Sequence, residues 1–314
     1  MRHTLARSAA AAALAALALA SCGGDDGDKP ASKSPAGKAS HADAVKLVEQ
    51  AAGPNRAARS GVMDGSLELT LEGVPEFSEP FMVSASGPFR YRKGSALPDY
   101  ELEMGVRDNG VELSSVGGRT YVSLGTTGYE VPAAVRSRLV RSSSRGANGL
   151  TRTLEQLGVA PWRWETEQRI AGTERIDGVE VVHITTSFNA GRMLRDTNTL
   201  LGLLTSLGVT RATGLPNEIS RRARQVIVGG VTSKVGASWI GVKDHVIRRS
   251  GFTLRFTVPK RERAKLGGLR GGKVVGLLKV TEVGRPQSIS KPASLGSYAD
   301  FQLGLDALGD AQGG

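Results

Sequence analysis

The residues that could support acid–base, metal or phosphate chemistry are few in this 314-residue chain. The chain has one cysteine, and its histidines are His3, His41, His183 and His245. No Cys/His spacing typical of zinc and no Gly-x-Ser-x-Gly turn occurs. His183 lies in step with Val179 and Val181 on a strand pattern, which favours a structural histidine in or near the core over a general base. Residues 267–273 approach the GxxxxGK phosphate-binding pattern, but Val274 stands where serine or threonine is required and a strand pattern follows. We therefore expect no catalytic residue, no metal, no cofactor and no enzyme activity.

The single cysteine, Cys22, follows an N-terminal segment typical of protein export. Arg2 and Arg7 give a positive start, and residues 8–20 form an apolar run that is too short to span a bilayer. Leu19-Ala20-Ser21-Cys22 resembles the bacterial lipobox, which implies a signal peptide over 1–21 and a diacylated Cys22 thiol. The alternatives are a transmembrane anchor or a signal peptide with an unrelated cysteine nearby. Lipidation fits a lone cysteine, because such a residue cannot form an internal disulfide.

Residues 22–43 are rich in Gly, Asp, Lys, Pro, Ala and Ser and have no apolar periodicity, so we expect a disordered tether. About twenty such residues have an r.m.s. reach of roughly 25 Å. Acyl chains on Cys22 would hold the protein at a membrane, since each buried methylene contributes about 0.8 kcal/mol. The sequence thus predicts a protein anchored at the extracytoplasmic face of the cell membrane, with one domain over 44–310.

The formal net charge of +11 raises the question of an anionic partner. Nucleic acid is disfavoured, because an exported chain seldom meets it and the few aromatic residues are not interleaved with basic clusters. Anionic lipid headgroups are a more natural partner for a tethered protein. The candidates for this membrane contact are Arg221, Arg222, Arg224, Lys260, Arg261, Arg263 and Lys265. The alternative is an ordinary solvated surface.

Period-two alternation dominates the first half of the domain, after an amphipathic helix that carries Ala44, Val48 and Ala51 on one face. Apolar and polar residues alternate over 66–72, and the pattern returns between 81 and 124. Asp108-Asn109-Gly110 and Gly117-Gly118 are turn signals between these strands. The pattern predicts an antiparallel meander with one apolar face.

Helices and further strands alternate along the second half. Helices are predicted after Pro132, over 150–157, over 189–207 with Asn189 as the cap, and from about Pro216. Strands are predicted over 165–176, 179–187, 231–242, 246–258 and 273–283. So many strands with a single apolar face require a layer of helices. The predicted fold is therefore α+β: one curved antiparallel sheet, or half-barrel, with amphipathic helices covering its concave apolar face.

Two motifs resemble a known family. "YVSLGTTGYEVPAAV" (121–135) and "RIDGVEVVHITTSFNAGRML" (175–194), together with the lipobox and the meander, are similar to the LppX/LprG group of actinobacterial lipoproteins. That group belongs with the LolA/LolB lipoprotein carriers in one fold superfamily. The resemblance implies a half-barrel with helices over its open side and an apolar cavity for acyl chains. It also implies a role in binding or carrying a lipid or a lipidated molecule.

An apolar cavity would be lined by residues of the strands and of the 189–207 helix, whose apolar stripe is wider than one packed face needs. The candidates are Leu69, Phe81, Val83, Leu102, Met104, Leu194, Leu200, Leu201, Leu204, Phe252, Leu254 and Phe256. The alternative is a close-packed core without a void. In that case the protein would be a non-enzymatic envelope scaffold or assembly factor with a protein partner. We expect a monomer in either case.

Overall fold

The computed structural model describes residues 41–52, 58–75, 79–92, 98–106, 109–133, 163–206, 217–301 and 303–304. The predicted helices after Pro132 and over 150–157 lie outside the described residues, as do the predicted signal peptide and nearly all of the predicted tether. The strands are β1 Ser60–Glu72, β2 Phe81–Arg90, β3 Asp99–Val106, β4 Asn109–Val116, β5 Arg119–Leu124, β6 Thr127–Glu130, β7 Glu165–Ile176, β8 Val179–Phe188, β9 Val231–Gly241, β10 Ile247–Thr257, β11 Gly271–Thr281 and β12 Ser294–Gly296. The helices are α1 His41–Ala52, α2 Ala190–Ser206, α3 Arg221–Gly229 and α4 Lys260–Arg263, followed by a 3₁₀ turn, Ala264–Leu266.

The twelve strands of the described residues form one sheet that is not closed among them, in the order β12-β6-β5-β4-β3-β2-β1-β11-β10-β9-β8-β7. Two antiparallel meanders, β1–β6 and β7–β11, meet where β1 pairs with β11. The parallel pair β12–β6 makes the sheet mixed at one edge. The predicted α+β fold with a single large curved sheet is confirmed.

The face that carries Leu67, Leu69 and Leu71 on β1 is here called the inner face, because the helices pack on it. Helices α2 and α3 share one hydrophobic cluster with β1, β2, β10 and β11. Helix α1 packs farther along this face, where Ala44, Val48 and Ala51 contact a cluster that includes Ile184 and Ile240. Their spacing of four and three residues places these α1 side chains on one side of the helix. The predicted amphipathic opening helix is confirmed, and it begins at His41.

The local signals in the sequence correspond closely to the observed turns and caps. Asp177 and Gly178 form the β7–β8 turn with positive φ values of 49° and 78°. Asn189 Oδ1 accepts a hydrogen bond from the Arg192 amide at 3.0 Å, as expected for an N-cap. One prediction is wrong: the helix expected from about Pro216 begins at Arg221. Its cap is Ser220, whose side chain accepts a hydrogen bond from the Ala223 amide.

The segment after β11, residues 282–296, crosses the opposite, outer face and is here called the C-terminal strap. Arg90, which points to the outer face, donates a hydrogen bond to the Gln287 carbonyl at 2.9 Å. The strap then passes Gly128, where an added Cβ would lie 2.4 Å from the Pro292 ring, so only glycine fits. It ends as β12 beside β6.

A helical turn over residues 298–301 follows β12 and returns to the inner face. Phe301 is fully buried there, with Val122 and Val131. The end of the chain thus wraps around one edge of the sheet and contributes to the core on its other side.

Candidate functional site

Most of the predicted cavity-lining residues lie in one close-packed cluster, here called the packed core. Leu201 at 0% and Leu194 at 1% exposure come from α2 and face the strand side chains directly. The strand members of the packed core among the candidates are Leu69, Phe81, Val83, Phe252, Leu254 and Phe256. Leu200 and Leu204 belong to α2, but their side chains lie outside the described residues.

Polar contacts fix α2 against the sheet and against the start of α3. The Trp164 indole donates to Asp196 Oδ2 at 2.7 Å, and the Ile219 amide donates to Asn198 Oδ1 at 2.6 Å. Such a directed set of contacts holds α2 in one position over the packed core.

On β3 and β4 the apolar side chains of the inner face are less buried than those of the packed core. Leu102, Met104, Val111 and Leu113 all point to this face, yet they are only half-buried. Strand register brings them together, because Leu102 faces Leu113 and Met104 faces Val111. We call these four residues the half-buried patch. It contains the remaining two cavity candidates, Leu102 and Met104, whereas Val111 and Leu113 were not singled out from the sequence.

A row of three hydroxyl-bearing side chains borders the half-buried patch on the inner face. Tyr100, Ser115 and Thr120 face one another across β3, β4 and β5. Ser115 and Thr120 are both 0% exposed, and neither side-chain oxygen has a hydrogen-bond partner. Burial raises the pKa of the Tyr100 phenol above its ordinary value. Sequence reasoning missed this row, here called the hydroxyl row.

The outer face carries an acidic groove over the same strands. Glu103 faces Glu112 across β3 and β4, and Glu101 lies two residues from Glu103. The groove has a volume of about 420 Å³ and is also lined by Ser86 and Ser123. Burial, and then the charges of Glu101 and Glu103, raise the pKa of the Glu112 carboxyl. Within the described ranges, no group of three His, Cys, Asp or Glu side chains is arranged to hold a metal ion.

His183 lies on the outer face, stacked on Trp239 with ring centroids 4.5 Å apart and planes 5° from parallel. The guanidinium of Arg249 lies 5.0 Å from the centroid of the Trp239 ring. Burial lowers the pKa of His183. His183 is thus half-buried on the outer face, because β8 turns this side chain away from the packed core.

The seven predicted membrane-surface residues lie at one end of the sheet, on α3, α4 and the following turn, and are here called the basic surface. Arg222 joins the two helices through an ion pair with Glu262 at 2.6 Å. Arg224 and Arg263 are half-buried and donate to backbone carbonyls at 2.7 and 3.0 Å. The exposed members are Arg221, Arg222, Lys260, Arg261 and Lys265. In the part of the chain with described coordinates, every helix is too short or too polar to cross a bilayer.

Comparison with known proteins gives remote likenesses only. No family model matches the chain, and no curated protein matches it. The lipoprotein LppX of Mycobacterium tuberculosis is 13% identical, with 80% of this chain and 100% of LppX covered and a TM-score of 0.40. LprF from Mycobacterium bovis is 13% identical, with 81% and 98% covered and a TM-score of 0.41. A LolA superfamily protein from Nitrosomonas europaea is 9% identical, with 79% and 97% covered and a TM-score of 0.23. These proteins are of the group that the sequence motifs resemble, and at this similarity they assign no ligand to this chain.

Proposed function

We propose that this chain is a lipid-anchored protein of the cell envelope that binds the acyl chains of a lipid or lipidated molecule. The acyl chains would lie on the inner face over β3–β5, and the protein would carry or present its ligand without catalysing a reaction. The binding site would thus lie beside the packed core and not within it.

The observation that carries this proposal is the contrast between two parts of one face. The side chains that β1, β2, β10 and β11 contribute to the packed core are at most 4% exposed beneath α2 and α3. On β3 and β4 the half-buried patch offers four apolar side chains in register that are not fully buried. A sixteen-carbon chain gains about 12 kcal/mol when it leaves water, at about 0.8 kcal/mol per methylene. An apolar surface of this kind, next to the packed core, is suited to such a ligand.

The location in the envelope rests on the N-terminal sequence. The lipobox-like Leu19–Cys22 and the polar residues after it support an acylated, tethered protein. The basic surface supports the same location, because its five exposed cations would attract anionic headgroups.

The test is lipid extraction from the full chain carrying Cys22→Ala, so that any acyl group found is a bound ligand. Mass spectrometry of the extract should detect about one equivalent of a lipid with long acyl chains. Leu113→Trp should lower that amount, because an indole in the half-buried patch occupies the space of an acyl chain. Leu254→Met, a change of similar volume in the packed core, is the matched control and should leave the lipid content unchanged.

A chain that is reproducibly free of lipid, before and after exposure to membrane lipids, would contradict the proposal. It would favour the envelope scaffold with a filled core instead. The large extent of the packed core is the observation that favours this second candidate function.

A further inference from the structure

The acidic groove on the outer face brings together three like charges. Glu103 and Glu112 face each other directly across β3 and β4, and Glu101 lies diagonally from Glu112. Like charges directly opposite on neighbouring strands destabilise a sheet. Among the described residues, no lysine or arginine forms an ion pair with any of these three carboxylates. The sheet thus carries an electrostatic cost here that a bound cation would offset.

A buried serine without a partner lies in the same groove. Ser123 faces Glu112 across β4 and β5, lines the groove and is only 4% exposed. Its hydroxyl forms no hydrogen bond with another described residue, although most buried hydroxyls in proteins are paired. Ser114 is also buried without a partner on this face, but it does not line the groove. Ser123 therefore supplies a hydrogen-bonding group inside the groove that the fold itself does not use.

The polar groups of the groove form a line across four strands. Strand register aligns them in the order Ser86, Glu103, Glu112 and Ser123. Three strand spacings of about 4.8 Å separate the two ends of the line, which gives a length of roughly 14 Å. The carboxylates are spread over the groove, and within the described ranges no three acidic or metal-binding side chains are arranged to hold a metal ion. A groove of about 420 Å³ with charges so distributed suits an extended organic cation better than a metal ion.

We propose that the acidic groove binds a linear polyamine, such as a triamine. The ammonium groups donate hydrogen bonds to Glu103 and Glu112 along the line and to Glu101 beside it, and the serine oxygens accept further hydrogen bonds at the two ends. The chain has a formal net charge of +11, so its overall field repels a polyamine and only the local charge of the groove attracts one. The groove lies on the opposite face of the sheet from the proposed acyl site, so this inference does not depend on the proposed function.

The test is isothermal titration calorimetry on the full chain carrying Cys22→Ala. The probes are spermidine, putrescine, n-butylamine, trilysine and magnesium chloride. Spermidine should bind most tightly, and affinity should fall from spermidine to putrescine to n-butylamine, because each step removes one ammonium group. Glu112→Gln should weaken spermidine binding by roughly tenfold, since it removes a charged acceptor. Ser123→Ala should weaken it by about fivefold, as expected for one neutral acceptor.

Glu68→Gln is the matched control for charge, and Ser114→Ala is the matched control for the buried hydroxyl. Glu68 is a half-buried glutamate on the outer face of β1, between Val275 of β11 and Met82 of β2 and outside the groove. Both controls should bind spermidine as the unsubstituted chain does. The thermal midpoint is a second measurement. Glu112→Gln should raise the midpoint without ligand, because it removes a like-charge pair, and spermidine should raise the midpoint of the unsubstituted chain more than that of the variant.

Four results would overturn the polyamine site. Failure of the unsubstituted chain to bind spermidine would remove it outright. Equal affinities for magnesium and spermidine would mean that the groove attracts any cation. Tighter binding of trilysine than of spermidine would make the groove a docking site for a basic segment of a protein. Unchanged spermidine affinity in Glu112→Gln would mean that the amine binds elsewhere on the chain.

Discussion

Replacing each of two leucines with tryptophan should distinguish a position in the packed core from a position on the proposed binding surface. Leu201 is 0% exposed and sits between α2 and the strands of the packed core. Leu201→Trp must therefore overpack, at a cost of about 1–3 kcal/mol in the free energy of unfolding. For a domain of this size, 1 kcal/mol lowers the midpoint by about 2–4 °C, so we expect a fall of roughly 2–12 °C. Leu113→Trp, in the half-buried patch, should cost less than Leu201→Trp, because Leu113 is only partly buried.

On the same preparations, calorimetry measures the thermal midpoint and mass spectrometry measures the amount of bound lipid. Leu201→Trp should melt lower and keep its lipid, whereas Leu113→Trp should melt near the unsubstituted chain and lose lipid. Leu201→Met, which conserves volume, controls for substitution at the buried position. The reasoning is refuted if Leu113→Trp melts as low as Leu201→Trp and retains its lipid, because the half-buried patch would then be ordinary core.

Three further predictions concern anchoring, surface charge and pH. Cys22→Ala should release the protein from membranes or leave it uncleaved, and a membrane-bound variant of normal mature mass would contradict lipidation. Each exposed cation of the basic surface that is changed to glutamine should weaken binding to anionic liposomes by about 1 kcal/mol, and added salt should abolish the difference. Liposome binding that does not depend on the charge of the lipid headgroups would exclude a membrane contact by the basic surface. Burial raises the pKa of the Glu165 carboxyl, so the folded state holds its proton to higher pH than the unfolded state. Stability should therefore fall as pH rises from the ordinary glutamate pKa through the raised value, and Glu165→Gln should flatten this slope in denaturation curves measured from pH 4 to 8.

Local signals in the sequence predict the elements of this fold well. Alternation identifies β1–β3 and β7–β11, Asp177-Gly178 marks a turn, and Asn189 marks the cap of α2. Each of these depends on residues within a few positions of one another. The strand order cannot be predicted from such local signals, because alternation shows that a strand has an apolar face but not which strand lies beside it. The three residues of β12 are too few to show any alternation, and their place follows from the path of the C-terminal strap.

The candidate site was less predictable than the fold. Cavity candidates chosen for apolarity fall mostly in the packed core, since the same residue types fill a core and line a cavity. Ser114 and Ser115 are adjacent and chemically alike, so the sequence cannot tell which of them faces inward. Only the register with Tyr100 and Thr120 places Ser115 on the inner face. The hydroxyl row is thus a property of strand pairing.

The pairing of β1 with β11 also determines how this chain can fold. The two meanders form by contacts between neighbouring strands, but the eleven residue pairs of the β1–β11 seam join positions about 200 residues apart. Closing so long a loop is slow, and pairings of high sequence separation delay folding. If the chain is exported from its N-terminus, as we propose, β1 with Leu67, Leu69 and Leu71 would emerge long before β11. Until β11 arrives, one edge of β1 would stay unpaired, so we expect the half-translocated chain to be prone to aggregation and to need a chaperone outside the membrane.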